Sequence, residues 1–464
     1  MTSAITNQFR SLLLDQLKED IDGSTENYYI GLARADLITN PTINNSVFAQ
    51  NQVRDSLQSV KALNNASHVV KTVTWSTGFA YEAYSDALPA QENFYVINSL
   101  REVFICVEQG KNTEGVVQNS VNEPVTTHAR AVADGGGTAA DGKTFTLVDL
   151  YKWRFMFRLS NLAYATYKTN QWIPVKKVVS TATIAEEQEQ YALQQASVDG
   201  EILSVEILSG GTNYSATPTI TIDGDGTGAE FDVTVNNGSI VKVEVSRNEL
   251  DASYQNGTGY RRAKAVLSAG NAVLRPILSP PNGIHADPTK TLKSTSLMLQ
   301  ADFKSDEDAK IRTENDFYQT CLIRNLKYYG DSDGEQGYIA SDSDFDLNVG
   351  NALKKLQINK TNGAFGIDDL FSNAENTIQG KVYYLDEDGD ANLYYYQDDS
   401  TGYGKFNTGA SIVNQSNTGT GEIIRLINPD VDATTGDILH INNVGQITRG
   451  SNQTEDIRIV IQLG

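Results

Sequence analysis

The chain has 464 residues, enough for about two or three domains with real cores. Its formal net charge of −21 argues against nucleic acid, whose phosphates call for clustered Lys and Arg, and against an anionic membrane surface. Hydrophobic content of 39%, 37 glycines and only 10 prolines fit many short strands joined by Gly, Asn, Asp and Ser turns, with solvated acidic loops carrying the charge.

Residues 3–22 carry apolar side chains at Ile5, Phe9, Leu12, Leu13, Leu17 and Ile21. That spacing predicts a helix, capped by Ser3 and stopped at Asp22-Gly23. Asn7, Arg10, Asp15, Lys18 and Glu19 interrupt it, so no signal peptide is expected. No stretch approaches the roughly 18 apolar residues of a membrane span. A strand follows at Tyr28 to Leu32, and Val53, Leu57, Val60 and Leu63 predict a second helix. Further strands are expected at His68 to Trp75, Ala80 to Tyr84, Asn93 to Asn98 and Glu102 to Glu108. The tract Asn112 to Lys143, with Gly135-Gly136-Gly137, reads as an exposed loop. Phe145 to Leu159 returns to strand, and Trp172 to Val175 is another extended piece. Thr183 with Glu186 matches a capping box opening a helix that ends near Ser197. Its thin apolar stripe, Tyr191 and Leu193, suggests a surface or linking helix.

Residues 200–267 read as an all-β insertion, with turns at Gly210-Gly211, Asn236-Asn237-Gly238 and Asn256-Gly257. Val205-Glu206-Ile207 recurs as Val243-Glu244-Val245, which suggests duplication of a strand–turn–strand unit. Residues 268–329 continue the core, through LMLQADF and NDFYQTCLIRNL. Residues 330–435 combine an acidic loop (Asp331, Asp333, Asp342, Asp344, Asp346), a short helix at Val349 to Leu356 and a second β-rich insertion at 378–428. The segment 436–464 returns to the core: an apolar run Ile438 to Ile441, a turn at Asn442-Asn443, and a half-buried strand with Ile457, Ile459, Ile461 and Leu463 on one face. The fold class expected is mainly β, a multi-domain β-sandwich-like core with a few helices and two small all-β insertions; the first core stretch is 1–199.

Few motifs point to chemistry. Asp386, Asp388, Asp390 and Asn392 open like a calcium loop, but Ala391 and Gln397 stand where Gly and Glu are required. Gly224-Asp225-Gly226-Thr227-Gly228 follows a strand, yet Phe231 to Val235 alternates like another strand, so no helix N-terminus waits for a phosphate. His68, His128, His285 and His440 are scattered, and no G-x-S-x-G elbow occurs. Glu186-Glu187 and Asp306-Glu307-Asp308 sit in surface-type stretches. Cys106 and Cys321 lie in apolar strand-like runs and are expected as buried free thiols. Tyr151, Trp153, Phe155 and Phe157 alternate with Lys152, Arg154, Met156 and Arg158. Either the basic residues face solvent from a core strand, or they pair with an acidic neighbour in an assembly. No catalytic, cofactor-binding or metal residue is expected, and no cofactor.

The closing wording, Gly436-Asp437-Ile438-Leu439, Asn442-Asn443 and Gln453-Thr454-Glu455-Asp456-Ile457, resembles the dimeric baseplate wedge protein family of T4-like contractile-tailed phages, the gene-eight product type. The resemblance continues in order through Ile5 to Ile21, Tyr29 to Arg34, Leu57 to Lys61, Trp75 to Gly78, Asn93 to Val96, Val103 to Cys106, Tyr151 to Trp153, Arg275-Pro276 with Ser279-Pro280-Pro281, and Asn315 to Phe317. These blocks span about half the chain, and the stretches 200–267 and 330–428 look like insertions of the kind found in phages of marine cyanobacteria. The resemblance implies a non-enzymatic structural subunit of the virion tail baseplate. It would be assembled in the host cytoplasm, paired with itself as a homodimer and bound to other wedge proteins, and would rearrange on host attachment. No nucleic-acid or membrane partner is expected. The alternative is a carbohydrate-binding tail or adhesin protein acting through its β insertions, with Tyr383, Tyr384 and Tyr394 to Tyr396 as candidate platforms. A polysaccharide-degrading enzyme is a third reading, for which the long repetitive solenoid is missing.

Overall fold

Every position of the strand Tyr28–Ala33 is buried, so neither of its faces meets water. In the computed structural model the described residues are 6–22, 28–34, 46–63, 65–86, 92–129, 137–248, 253–304, 307, 311, 313, 315–327, 329, 348–387, 391–415 and 419–463. The chain is mainly β, with 45% of it in strands and 12% in helices, and its sheets are largely antiparallel. It divides into two compact units, one of 1–15, 67–298 and 460–464, the other of 16–66 and 299–459.

The second unit is built on a five-stranded antiparallel sheet in the order Val349–Asn351, Leu57–Ala62, Tyr28–Ala33, Asp316–Arg324, Asp437–Thr448. Gly31 sits at its centre opposite Cys321 and Val60. A Cβ there would lie 2.7 Å from Cys321 Sγ and 2.8 Å from Leu57 Cδ1, so only glycine lets the three strands close. The second helix expected through Leu63 is shorter. It covers Val47–Asp55, with Ser46 Oγ accepting from Ala49 N, and Leu57 to Ala62 is strand. Pairing with strands on both sides buries Leu57 to Val60, and that burial overrides the helical spacing.

Two further expectations fail in this unit. Val349 to Leu356 is two strands and not a helix, because Leu356 is needed in the core of the barrel described next. Asn442-Asn443 is not a turn: the strand runs unbroken from Asp437 to Thr448, with Asn442 opposite Thr320 and Asn443 opposite Gln319. A bulge at Val444–Gln446, with Gly445 at φ 78°, takes up the extra length. The reversal comes instead at 449–453, where Gln453 N donates to Gly450 O. In the strand Thr454–Gln462 that follows, Ile457 to Ile461 are all partly buried, so the expected one-sided burial does not hold.

Six strands of the same unit form a closed barrel: Lys354–Asn362, Leu370–Asn373, Gln379–Asp386, Ala391–Tyr396, Ser411–Asn414 and Thr420–Ile427. Leu356, Ile358, Phe371, Val382, Leu393, Ile412 and Ile423 fill it. Closure leaves no unpaired edge to aggregate. The acidic loop residues Asp331, Asp333, Asp342, Asp344 and Asp346, and Asp388 and Asp390 of the calcium-like motif, lie outside the described residues.

The first unit centres on a four-stranded sheet in the order Tyr95–Ile97, Glu102–Glu108, Lys152–Arg158, Phe145–Thr146. Both its faces are buried. Val103, Ile105 and Val107 point into one core, and Phe104, Cys106, Trp153 and Phe155 into another. A bulge at Met156 breaks the aromatic alternation and turns Phe157 to the face of Val103. Phe145 to Leu159 is therefore two strands, divided by a turn in which Leu150 takes φ 67°. Ala80 to Tyr84 is not a strand; Tyr81 is anchored by its hydroxyl, which accepts from Ser76 N at 2.7 Å.

The helix Ala185–Gln195 starts one residue later than the capping box requires. Its N-cap is Ile184, and Thr183 makes no cap, because Glu187 N and Gln188 N both reach the Ile184 carbonyl. It lies on the surface, as expected, and packs through one narrow face: Leu193, Gln190 and Gln194 are buried, and Gln194 brackets Val178, accepting from its N at 2.9 Å and donating to its carbonyl at 2.8 Å. Polar side chains satisfying backbone stand in for the missing apolar stripe.

Residues 202–278 form nested antiparallel pairs. Ile202–Ser209 pairs with Val273–Leu278, Ile220–Gly224 with Ala263–Leu267, Thr227–Ala229 with Asn256–Thr258, and Phe231–Asn236 with Ser239–Val245. Asn237-Gly238, at φ 49° and 73°, makes the innermost turn. Val205 and Val243 share one small core, but the strand of Val205 pairs across the whole module and that of Val243 with its sequence neighbour. The repeated wording is thus not a repeated unit. In the opening helix, Asn7–Asp22, the buried positions are Ser11, Leu14 and Ile21, while Phe9, Leu12 and Leu13 are exposed, so the expected stripe is split and only its Ile21 end is buried. Ser3 and Ile5 lie outside the described residues.

Candidate functional site

Of the basic residues of the strand Lys152–Arg158, Lys152 and Arg154 do not face solvent, Arg158 is half-buried, and all three find internal partners. Lys152 and Arg154 are each 5% exposed. With sheet on either side and a core on both faces, a cation here needs an internal anion. Lys152 Nζ lies 2.8 Å from Glu108 Oε2 and 2.7 Å from Glu244 Oε1, which joins this sheet to the nested module. Burial opposes its charge, and the two carboxylates more than restore it, holding the ammonium above its ordinary range.

Arg158 Nη2 donates to Glu102 Oε1 at 2.7 Å. Glu102 is 1% exposed and also accepts from Asn98 Nδ2 at 2.8 Å and Thr126 N at 3.1 Å. Burial alone would raise its carboxyl; bonds from Thr126, Arg158 and Asn98 outweigh that and hold it below the usual carboxylate range.

Arg154 makes a fork on Glu201: Nη1 to Oε2 at 2.8 Å and Nη2 to Oε1 at 3.0 Å, while Nε donates to Thr144 Oγ1 at 2.8 Å. Desolvation would raise Glu201, but Arg154 lowers it below its ordinary value. Beside this pair lies a cavity of about 350 Å³, lined among others by Gly142, Thr144, Glu201, Tyr254 and His285. His285 is buried and its Nε2 lies 2.9 Å from the Phe155 carbonyl oxygen. That oxygen can only accept, so Nε2 carries the proton. Burial, then the nearby Arg154, push the imidazole down to about 4, so it is neutral near pH 7. Gly142, at φ 70°, passes close beneath the ring; a Cβ would lie 3.0 Å from His285 Cε1 and 2.8 Å from Leu193 Cδ2.

The residues singled out from sequence do not come together. Gly224 ends one strand and Thr227–Ala229 is another, so the glycine run binds no helix N-terminus; Asp225 Oδ1 instead accepts from Arg261 N and Arg262 N. Asp386 and Asn392 stand opposite each other on two paired strands. Among the described residues no group of three His, Cys, Asp or Glu stands at metal-holding distance. Glu187 pairs with Lys176 at 2.6 Å, and Glu307 with Lys61 at 2.6 Å. Cys106 and Cys321 are free and buried, as expected. Tyr383, Tyr384 and Tyr395 are buried, and Tyr384 stacks on Tyr394 at 4.1 Å, so these rings pack the barrel and its wall and offer no open platform. Sequence reasoning missed Thr144, Glu201 and His285. The available signal was Arg154 itself: a cation between large aromatics on a strand without a solvent face implies a buried anion nearby.

No family model matches the chain, and no curated protein matches it.

Proposed function

We propose that this chain is a structural subunit of the baseplate wedge in a contractile phage tail, a homodimer that joins neighbouring wedge proteins and rearranges on host attachment. The proposal places it in the virion, assembles it in the host cytoplasm and gives it no catalytic step. Its sequence support is the ordered resemblance from Ile5 to Ile457. The observation that carries it in the structure is a braced apolar surface on the first unit. Phe79 bridges to Ser120, and Asp149 Oδ2 accepts from Ser120 Oγ at 3.0 Å, Val121 N at 2.8 Å and Asn122 N at 3.1 Å. These bonds fasten together the segments that carry the exposed Phe79, Val121, Val148 and Leu150, with Val148 86% exposed. Apolar side chains held out on a rigid frame suit contact with other subunits. Internal ion pairs suit the same role, since Lys152, Arg154 and Arg158 tie strands and module together as a body that can carry load.

Light scattering of the purified chain should give a stable dimer at micromolar concentration; a stable monomer would overturn the dimer and weigh against the wedge role. A tail map should show paired copies in each wedge at the periphery of the baseplate. Val148→Asp with Leu150→Asp should block incorporation into tails and leave the melting temperature unchanged. A carbohydrate-binding role through the tyrosines of the second insertion is the less favoured reading, because those rings are engaged in packing.

A further inference from the structure

We infer that the cavity beside Arg154 is a binding site for a small neutral polyhydroxylated molecule of monosaccharide size. The inference goes beyond the assembly role and concerns one unit alone. The volume, about 350 Å³, falls in the lower range of small-molecule sites. The charged side chains lining it balance, because Arg154 is matched by Glu201 through two parallel bonds, Lys143 is offset by Asp141, and His285 is neutral. A free anion or cation would therefore meet no net attraction.

Hydrogen-bonding capacity nevertheless remains, and it alternates in sign. Arg154 uses three of its N–H groups on Thr144 and Glu201, so each terminal nitrogen keeps a second hydrogen. Each Glu201 oxygen accepts one bond from Arg154 and has a further lone pair. Thr144 Oγ1 accepts from Arg154 Nε, which leaves its own hydrogen to donate. His285 is the most telling group. It is 7% exposed and lines the cavity; with Nε2 donating to the Phe155 carbonyl, Nδ1 presents a lone pair to which no described residue donates. A buried acceptor of this kind calls for a donor from elsewhere. Hydroxyl groups both donate and accept, so neighbouring hydroxyls can satisfy the donors of Arg154 and Thr144 and the acceptors of Glu201 and His285 together. A carboxylate or phosphate ligand would leave the acceptors unmet, and an ammonium would leave the donors unmet.

The test uses the full chain and a panel of D-glucose, D-galactose, D-mannose and N-acetyl-D-glucosamine. Saturation-transfer NMR should show saturable binding of at least one sugar, with a dissociation constant of about 1 mM. Ala196→Trp fills the cavity from an exposed lining position and should weaken that binding at least tenfold, as should Thr144→Val. In histidine-labelled wild-type protein, the Nδ1 resonance of His285 should move with sugar concentration. No saturable signal from any of the four sugars, or binding that is equal in Ala196→Trp, overturns the site. Binding that leaves His285 Nδ1 unmoved overturns it as well, and that reading needs no variant to fold.

Discussion

Arg449 Nε donates to Glu455 Oε2 at 2.6 Å, across the reversal that joins the last two strands of the chain. Both side chains are buried, and the guanidinium also reaches the carbonyls of Ile311 at 3.2 Å and Phe303 at 3.4 Å. One cation thus fastens the closing reversal to two other segments of its unit. Glu455→Gln leaves that cation without its counter-charge, and the expected loss of stability is about 3–5 kcal/mol. Urea denaturation followed through the transition of this unit checks it. A loss under about 1 kcal/mol would mean the pair behaves like a solvated surface bridge.

Arg154 and Glu201 should show the same dependence and, in addition, coupling. Arg154→Met and Glu201→Leu each strand one buried charge and should each cost about 3–5 kcal/mol. The double variant removes both charges together and should cost clearly less than the sum. A double-mutant cycle measures the difference; additive losses would show that the two groups do not depend on each other.

His285 sets the acid side of the stability profile. Its folded value, about 4, lies below the ordinary 6.5, so the unfolded chain takes up the proton first. The stabilisation is fully present above about pH 6.5 and is lost as pH falls toward 4, by up to ~3 kcal/mol. His440, whose imidazole is lowered by partial burial, acts in the same direction. Below the ordinary carboxylate range Glu201 and Glu102, both held low, add their own loss. His285→Gln keeps a donor for the Phe155 carbonyl and has no titration, so its melting temperature should change less between pH 7 and 5 than that of the wild type. Parallel profiles for the two proteins would refute the assignment.

Gly142 should tolerate no side chain. At φ 70° a Cβ is strained, and the space it would take is held by Leu193 and His285. Gly142→Ala is expected to destabilise the first unit by more than about 1 kcal/mol, read as a lowered melting temperature. Gly402, at φ 66° with nothing within 4 Å of its Cβ, is the control: Gly402→Ala carries the backbone strain alone and should cost less.

Much of the fold is legible in the residues themselves. The runs Glu102 to Glu108 and Trp172 to Val175 are strands at their expected bounds, because dense β-branched and aromatic residues leave no competing pattern. The mainly β class, the burial of both cysteines and the turn at Asn237-Gly238 follow from composition and local chemistry in the same way. What local pattern could not decide is what each segment would find beside it. Leu57 to Val60 have helical spacing and become strand because strands lie on both sides. Asn442-Asn443 reads as a turn and runs through as strand because Thr320 and Gln319 pair with it. Lys152 and Arg154 look like a solvated face and are buried, since the nested module and Glu201 supply anions that lie far along the chain. The cavity depends on the same long-range meeting: Thr144, Arg154, Glu201 and His285 share no motif, and only packing makes them neighbours. Strand preference is a property of a few adjacent residues, whereas burial and charge pairing are properties of the partners that tertiary contact brings.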